Sequence, residues 1–171
     1  MDFFALVQAR HSVRKYLDRP VEGEKLQAIL EAMNRAPSAG NLQGYEVFVV
    51  TSPGKRQELV QAALGQEFLA EAPLVLAFCA NGPRSAQKYA ERGATLYSIQ
   101  DATIACTYAM LAAKALDLDT VWVGAFDEAA VSEILGLPAE FRPIILLPIG
   151  YAGGEPRNRP RRELKDIVHV E

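Results

Sequence analysis

Residues 74–80 read Leu-Val-Leu-Ala-Phe-Cys-Ala, an uninterrupted apolar run that the turn sequence Asn81-Gly82-Pro83 closes. A short continuous apolar run bounded by a turn signal predicts a strand that is buried on both faces. Runs of the same character predict three further strands, at 46–51, 120–125 and 143–149. Apolar residues at helical spacing predict helices at 2–9, 22–36, 55–65, 96–116 and 128–135, with Asp2 and Asp127 as N-caps of the first and the last. Strands that alternate with helices predict an α/β or α+β sheet covered on both faces.

The remaining segments are less regular. Small residues fill the long helix 96–116, which predicts that it is central and closely approached by its neighbours. The polar segment 81–95 carries no clear period, and residues 167–170 suggest a short terminal strand. We expect one domain over 1–171, with 150–171 as a Pro- and Arg-rich arm.

The composition excludes several classes of protein. Of the 171 residues, 50% are hydrophobic and 23% are charged, and the net charge is only -3, which excludes a disordered chain and argues against a general nucleic-acid binder. No apolar run has the length of a membrane helix, so no membrane association is expected. The two cysteines cannot form a disulfide framework, and the N-terminus lacks a signal peptide's features. These observations predict a cytoplasmic protein.

The basic residues are unevenly distributed. Nine of the 18 Lys and Arg residues lie in two short stretches, 10–19 and 157–165. Two explanations remain open for them: two solvated basic segments, or two chain ends that converge on one anion. Arginine suits bidentate phosphate binding, and Ser12 between Arg10 and Arg14 adds a hydroxyl.

The sequence lacks the motifs of several common catalytic classes. It has no GxxxxGK[ST], GxGxxG, GxSxG or HExxH. His11 and His169 are the only histidines, so no metal site is expected, and Cys79 and Cys106 are interpreted as packing residues. A phosphate-binding chain without a protein nucleophile indicates that a cofactor carries the chemistry.

Several motifs now resemble those of one family. Residues 10–16, Arg-His-Ser-Val-Arg-Lys-Tyr, are similar to the N-terminal signature of the FMN-dependent nitroreductase family. The family's order also matches in Ala-Pro-Ser-Ala-Gly-Asn-Leu-Gln at 36–43, Gln-Asp-Ala at 100–102 and Val-Trp-Val-Gly-Ala-Phe at 121–126. Pro-Ile-Gly-Tyr at 148–151 and the Arg-Pro-Arg-Arg tail at 159–162 complete a resemblance over nearly the whole chain.

The resemblance implies a nitroreductase-like α+β fold of the three-layer type, with a central mostly antiparallel or mixed sheet flanked by helices. It also implies a homodimer that exchanges C-terminal arms and holds two FMN molecules at its interface. The implied phosphate and ribityl contacts are Arg10, His11, Ser12, Arg14, Arg159 and Arg161. The implied flavin contacts are Pro37, Ser38, Asn41 and Gln43 from the partner, and the backbone of Gly124 and Ala125.

Alternatives stay open for individual residues. Ser38 and Asn41 are also suited to shaping a turn, and Lys15 and Arg19 are interpreted as surface charges. Gln66 suits either a flavin contact or packing at a helix end.

The implied function is an oxidoreductase that uses NAD(P)H and FMN to reduce nitroaromatics, quinones or flavins by ping-pong hydride transfer. No catalytic side chain is named, because solvent can supply the proton. The alternative is an FMN-binding redox sensor or carrier with little turnover. The chain departs from larger members in size, since only the short segment 81–95 stands where they insert a lid.

Overall fold

The computed structural model describes residues 2–155 and 159–171. The helices are α1 Phe3–Ala9, α2 Gly23–Met33, α3 Pro53–Ala62, α4 Phe68–Glu71, α5 Gly82–Arg92, α6 Ser98–Ala115 and α7 Glu128–Leu135. The strands are β1 Tyr45–Val50, β2 Leu74–Asn81, β3 Asp119–Thr120 and β4 Phe141–Gly150. The two predicted caps are confirmed, because the carboxylate of Asp2 accepts from Ala5 N and that of Asp127 accepts from Ala130 N.

The apolar run at 74–80 forms most of β2, which lies inside the sheet. In the described residues the sheet has four strands in the order β1-β2-β4-β3, and every pairing is antiparallel. Successive side chains of β2 enter different cores: Leu76 and Phe78 join one apolar cluster, whereas Val75 and Ala77 join the other. The prediction of an α+β sheet covered on both faces is confirmed.

Helices cover the two faces of the sheet in separate layers. Residues of α2 and α6 fill the core on one face, and residues of α3, α4 and α7 fill the core on the other. The prediction that the long helix is central is confirmed, since α6 packs against both α2 and the sheet. The apolar residues that α6 buries are small and let neighbouring backbones approach closely: Ala102, Ala105, Cys106, Ala109 and Ala113.

The predicted strand at 120–125 is wrong beyond Thr120. Thr120 pairs with Ile149 of β4, and Val123 returns to exchange two hydrogen bonds of 3.0 Å with Leu146. In the same register Val121 lies opposite Pro148, which has no N–H to donate. The ladder is therefore interrupted at the apolar sequence that suggested a continuous strand.

Two other segments differ from the prediction. The unassigned segment 81–95 forms α5 and a π-helical turn at Gly93–Tyr97, directly before α6. The suggested terminal strand 167–170 is wrong, because these residues are exposed and follow a 3-10 turn at Leu164–Asp166. Among the described residues no helix is both long and apolar enough to cross a membrane.

Candidate functional site

The two chain ends meet along the segment that follows α1. Val13 N donates to Thr120 O at 3.0 Å, so this segment lies beside β3. On its other side runs the chain that leaves β4, where Gly153 N donates to Lys15 O at 2.8 Å. A Cβ on Gly153 would lie 3.0 Å from the carbonyl oxygen of Tyr16, so this close approach favours glycine. The start of the arm is thereby held beside the N-terminal signature.

A cavity of about 1100 Å³ opens where these segments meet. All six residues predicted to contact the phosphate and ribityl chain line it: Arg10, His11, Ser12, Arg14, Arg159 and Arg161. Arg157, which belongs to the same basic stretch, lies outside the described residues. The structure thus brings both basic stretches to one cavity, as the hypothesis of convergence on one anion requires.

The chemistry of this cavity fits a phosphate group. Four guanidinium groups and the Ser12 hydroxyl surround it, and none of these arginines has a carboxylate within 4.0 Å in the part of the chain that the structure describes. Unpaired arginines beside a hydroxyl are a donor set for a dianion. Lys15, interpreted as a surface charge, is exposed and also lines this cavity, as does Glu155.

A second cavity, of about 550 Å³, lies between the small-residue loop after α2 and the N-terminal end of α6. Pro37 and Ser38 line it, as the family resemblance implies for flavin contacts. Asn41 and Gln43 do not line it. The opposite wall consists of side chains from the π-helical turn and α6: Tyr97, Gln100, Asp101, Thr103 and Ile104.

Asp101 fixes the loop that forms one wall of this cavity. Its carboxylate is 2% exposed and accepts from Ala39 N at 2.9 Å and from Gly44 N at 3.1 Å. The two donors lie at opposite ends of the loop, so one side chain closes it. Asp101 belongs to the Gln-Asp-Ala motif at 100–102, but the sequence predicted no role for it. Its hydrogen-bond partners are 57 and 62 residues away in the sequence, so no local pattern reveals them.

The loop itself holds unusual backbone conformations. Gly40, Asn41 and Gln43 have φ of 57°, 58° and 51°, in the left-handed region that costs free energy for residues other than glycine. Ser38 Oγ accepts from Gln43 N at 3.0 Å, so the hydroxyl shapes the turn as well as facing the cavity. Gln43 Nε2 donates to Asn34 Oδ1 at 3.1 Å, which directs this amide to α2.

Gly124 and Ala125 lie apart from both cavities. Both residues are exposed and directly follow Val123. Their segment begins at Thr120, which lies beside Ser12. Among the described residues a Cβ on Gly124 would meet only the Trp122 indole, at 3.5 Å, so no described contact requires glycine there. Gln66 holds this segment, because its Nε2 donates to Ala125 O at 3.0 Å.

The two cavities have no lining residue in common. The arginine-lined cavity, which we call the phosphate cavity, lies at the end of α1. The cavity lined by Pro37 and Ser38, which we call the apolar cavity, lies beside α6. Within one chain the structure does not bring the two sets of predicted ligand contacts together.

Comparison with protein families accounts for this arrangement of motifs. The family model described as the nitroreductase family matches residues 7–67 and 55–151, which include the N-terminal signature, the loop at 36–43 and β4. The chain belongs to the nitroreductase family. The family prediction made from the sequence is confirmed.

Two relatives illustrate the range of this family. A relative named NADH dehydrogenase from Thermus thermophilus is 33% identical, over 93% of this chain and 91% of that protein. A protein named FMN reductase [NAD(P)H] from Bacillus subtilis is 31% identical, over 94% of this chain and 70% of that protein. The second relative is longer than this chain.

A solved structure confirms the nitroreductase fold. The NADPH:FMN oxidoreductase of Vibrio harveyi, solved as a complex with NAD+, is 29% identical and superposes with a TM-score of 0.90. The superposition covers 98% of this chain and 76% of that chain.

Proposed function

We propose that the protein is an FMN-dependent oxidoreductase that takes electrons from NAD(P)H and delivers them to nitroaromatic, quinone or similar acceptors. The observation that carries this proposal is the phosphate cavity, in which four arginines from both chain ends, none paired with a carboxylate of the described residues, surround Ser12. FMN, when bound, supplies a ring that accepts a hydride and passes electrons on. The names of the relatives, an FMN reductase and an NADPH:FMN oxidoreductase among them, support the same activity.

The chain's own residues bind FMN and orient its ring. Arg10, Arg14 and Ser12 hold the phosphate, with Arg159 and Arg161 from the arm. The loop at Pro37 and Ser38 forms a mostly apolar wall suited to a flat ring. The backbone of Gly124 and Ala125, exposed beyond Ser12, is available to the ring's polar edge.

We propose that the active form is a homodimer with FMN at its interface. Helix α1 has no buried residue, and Phe3 and Phe4 are 61% and 78% exposed. Such a short helix gains little stability without packing, so its apolar face indicates a covering surface. The arm is also exposed throughout residues 159–171 and carries Leu164, Ile167, Val168 and Val170. A second copy would cover both surfaces and bring its apolar cavity to the phosphate cavity.

The two free cysteines, Cys79 and Cys106, are buried, and we propose a cytoplasmic location on the basis of cysteine usage. Burial raises the pKa of the Cys79 thiol to about 12 and that of Cys106 well above its usual value. Neither thiol is thereby disposed to act as a nucleophile.

A visible spectrum and a turnover assay test the proposal. The purified protein is expected to be yellow, to release about one FMN per chain, and to oxidise NADH or NADPH with a quinone acceptor by ping-pong kinetics. Stoichiometric FMN without turnover would instead favour the sensor or carrier. A colourless protein that also fails to bind added FMN would contradict both functions.

Arg10→Ala is expected to weaken FMN binding by about tenfold or more, because it removes a charge-assisted contact worth roughly 1.5–3 kcal/mol. The measurement is the FMN dissociation constant, from flavin fluorescence on titration of the apoprotein. Arg35→Ala is the matched control, since Arg35 is exposed and lines neither cavity. Equal FMN affinity in the two variants would contradict the assignment of Arg10 to the phosphate.

A further inference from the structure

Three basic residues of α5 stand beside the apolar cavity without a role in the proposed FMN site. Arg84, Lys88 and Arg92 follow one another at four-residue intervals, and all three are exposed. Glu91 is the one carboxylate among residues 82–97, so this segment is positive in a protein whose net charge is -3. We call these three residues the basic row.

Each residue of the basic row contacts the wall of the apolar cavity or the loop that forms it. Arg84 Nε donates to Leu42 O. Lys88 Nζ lies 3.0 Å from the position that a Cβ on Gly40 would occupy. Arg92 Nε donates at 3.0 Å to the hydroxyl of Tyr97, whose side chain lines the cavity. The row therefore lies beside the loop and the π-helical turn, and each of these two segments contributes residues to the cavity wall.

The charges of the row remain available to a ligand. In the described ranges, 2–155 and 159–171, no carboxylate lies within 4.0 Å of these three side chains. Both arginines use Nε in the contacts above, which leaves the terminal Nη groups free in the described structure. Among those residues the Lys88 ammonium donates no hydrogen bond, and it lies 5.5 Å from the centre of the Tyr89 ring.

An apolar cavity whose neighbouring loop and turn carry the cations of the basic row suits a ligand with a flat ring and an anionic tail. Among the substrates of the proposed reaction, quinones and nitroaromatics have the ring alone, whereas NAD(P)H has both parts. We propose that the basic row binds the phosphate groups of the dinucleotide donor while its nicotinamide enters the part of the apolar cavity that the flavin ring leaves open. This inference rests on the proposed function and adds the site that recognises the donor.

Lys88→Gln in the FMN-loaded protein tests the inference, because it removes a charge that makes no hydrogen bond in the described structure. The KM for NADH and NADPH is expected to rise about tenfold, with kcat changed less than twofold. The KM for 1-benzyl-1,4-dihydronicotinamide, a donor without phosphate, is expected to stay the same. Lys55→Gln on α3, outside both cavities, is the matched control and is expected to leave all three KM values unchanged.

Calorimetric titration with NADP+ gives a readout that does not depend on turnover. We expect Lys88→Gln to weaken NADP+ binding about tenfold relative to the wild type and Lys55→Gln. Unchanged affinity would overturn the inference, and so would an equal rise in KM for the phosphate-free donor. If the wild type oxidises none of the three donors, the proposed function fails, and the NADP+ titration still decides whether the row binds a phosphorylated dinucleotide.

Discussion

A single buried carboxylate holds the loop of the apolar cavity in shape. Asp101 accepts from backbone groups at both ends of a loop that contains two non-glycine residues with positive φ. Without this side chain the two N–H groups would lose their acceptors, and the loop could relax from its costly conformation. Asp101 is therefore a positioning residue for the candidate site.

Asp101→Asn is expected to lower the free energy of unfolding by about 1–3 kcal/mol, because the amide presents an NH₂ group to one of the two backbone donors. FMN affinity is expected to fall as well, since the loop loses its fixed conformation. Urea denaturation and FMN titration measure the two effects. Asp117→Asn makes the same chemical change at an exposed residue with φ of 58°, which asparagine tolerates. Similar losses in the two variants would contradict the positioning role.

For single residues, the sequence indicated a role where charged side chains cluster along the chain. It indicated none where the role of a residue depends on contacts with distant parts of the chain. The clustered arginines raised the hypothesis that the two chain ends converge on one anion, beside the alternative of two solvated basic segments, and the structure brings both stretches to one cavity. Asp101 looked like any carboxylate on a helix, since its contacts are long-range. Lys15 was interpreted as a surface charge, because its place in the phosphate cavity depends on the distant chain that leaves β4.

At the scale of elements, a polar cluster fastens the start of α2 to the end of β4. Tyr151 donates to Glu22 at 2.6 Å, and Lys25 Nζ donates to Tyr151 Oη at 3.1 Å. Arg19 lies over the Tyr151 ring, 3.7 Å from its centre. The hydrogen bond from Tyr151, followed by the backbone N–H and Arg19, lowers the pKa of Glu22 from 4.5 to about 2.

Glu22→Gln is expected to show how the stability that this cluster contributes depends on pH. A carboxyl whose pKa is lowered by folding stabilises the protein above its unfolded pKa, and this contribution disappears as the pH falls through the folded pKa. The wild type should therefore have the higher Tm at pH 6–8, and the difference should shrink below about pH 4.5 and vanish near pH 2. Glu140→Gln, exposed and outside the cluster, is the control for loss of a charge. A difference that stays constant between pH 7 and pH 3 would contradict the pKa assignment.

The elements that sequence reasoning predicted well are those fixed by local signals. Helical periods, two caps and three apolar runs gave most helices and β1, β2 and β4 within a few residues. The prediction failed where a residue distant in the sequence determines the strand pairing. Pro148, for example, has no N–H to continue the ladder expected after Thr120. It also failed for α5, whose only buried residue in the described structure is Ser85, so the helix has no apolar period to detect.

At the scale of the whole molecule, the division of the candidate site predicts that it is complete only in a dimer. The sequence implied both sets of ligand contacts but not that they form separate cavities within one chain, because this depends on the packing of α1 and α6. A sedimentation mass twice the 18.7 kDa of one chain is the first expectation. The arrangement of the site itself needs a sharper test.

Two variants with complementary defects provide this test when they are combined in one dimer. Arg10→Ala with Arg14→Ala disables the phosphate cavity, and Ala39→Trp fills the apolar cavity that Ala39 lines. If each FMN lies between a phosphate cavity and the partner's apolar cavity, both homodimers lose FMN. A heterodimer isolated through two different tags then retains one intact site of two, about half the wild-type FMN content. A heterodimer of two differently tagged phosphate-cavity variants is the control and is expected to bind no FMN. If each site lay within a single chain, the mixed heterodimer would have no intact site and would bind no FMN. A mixed heterodimer without FMN would therefore contradict the assignment of Pro37 and Ser38 to the partner's flavin.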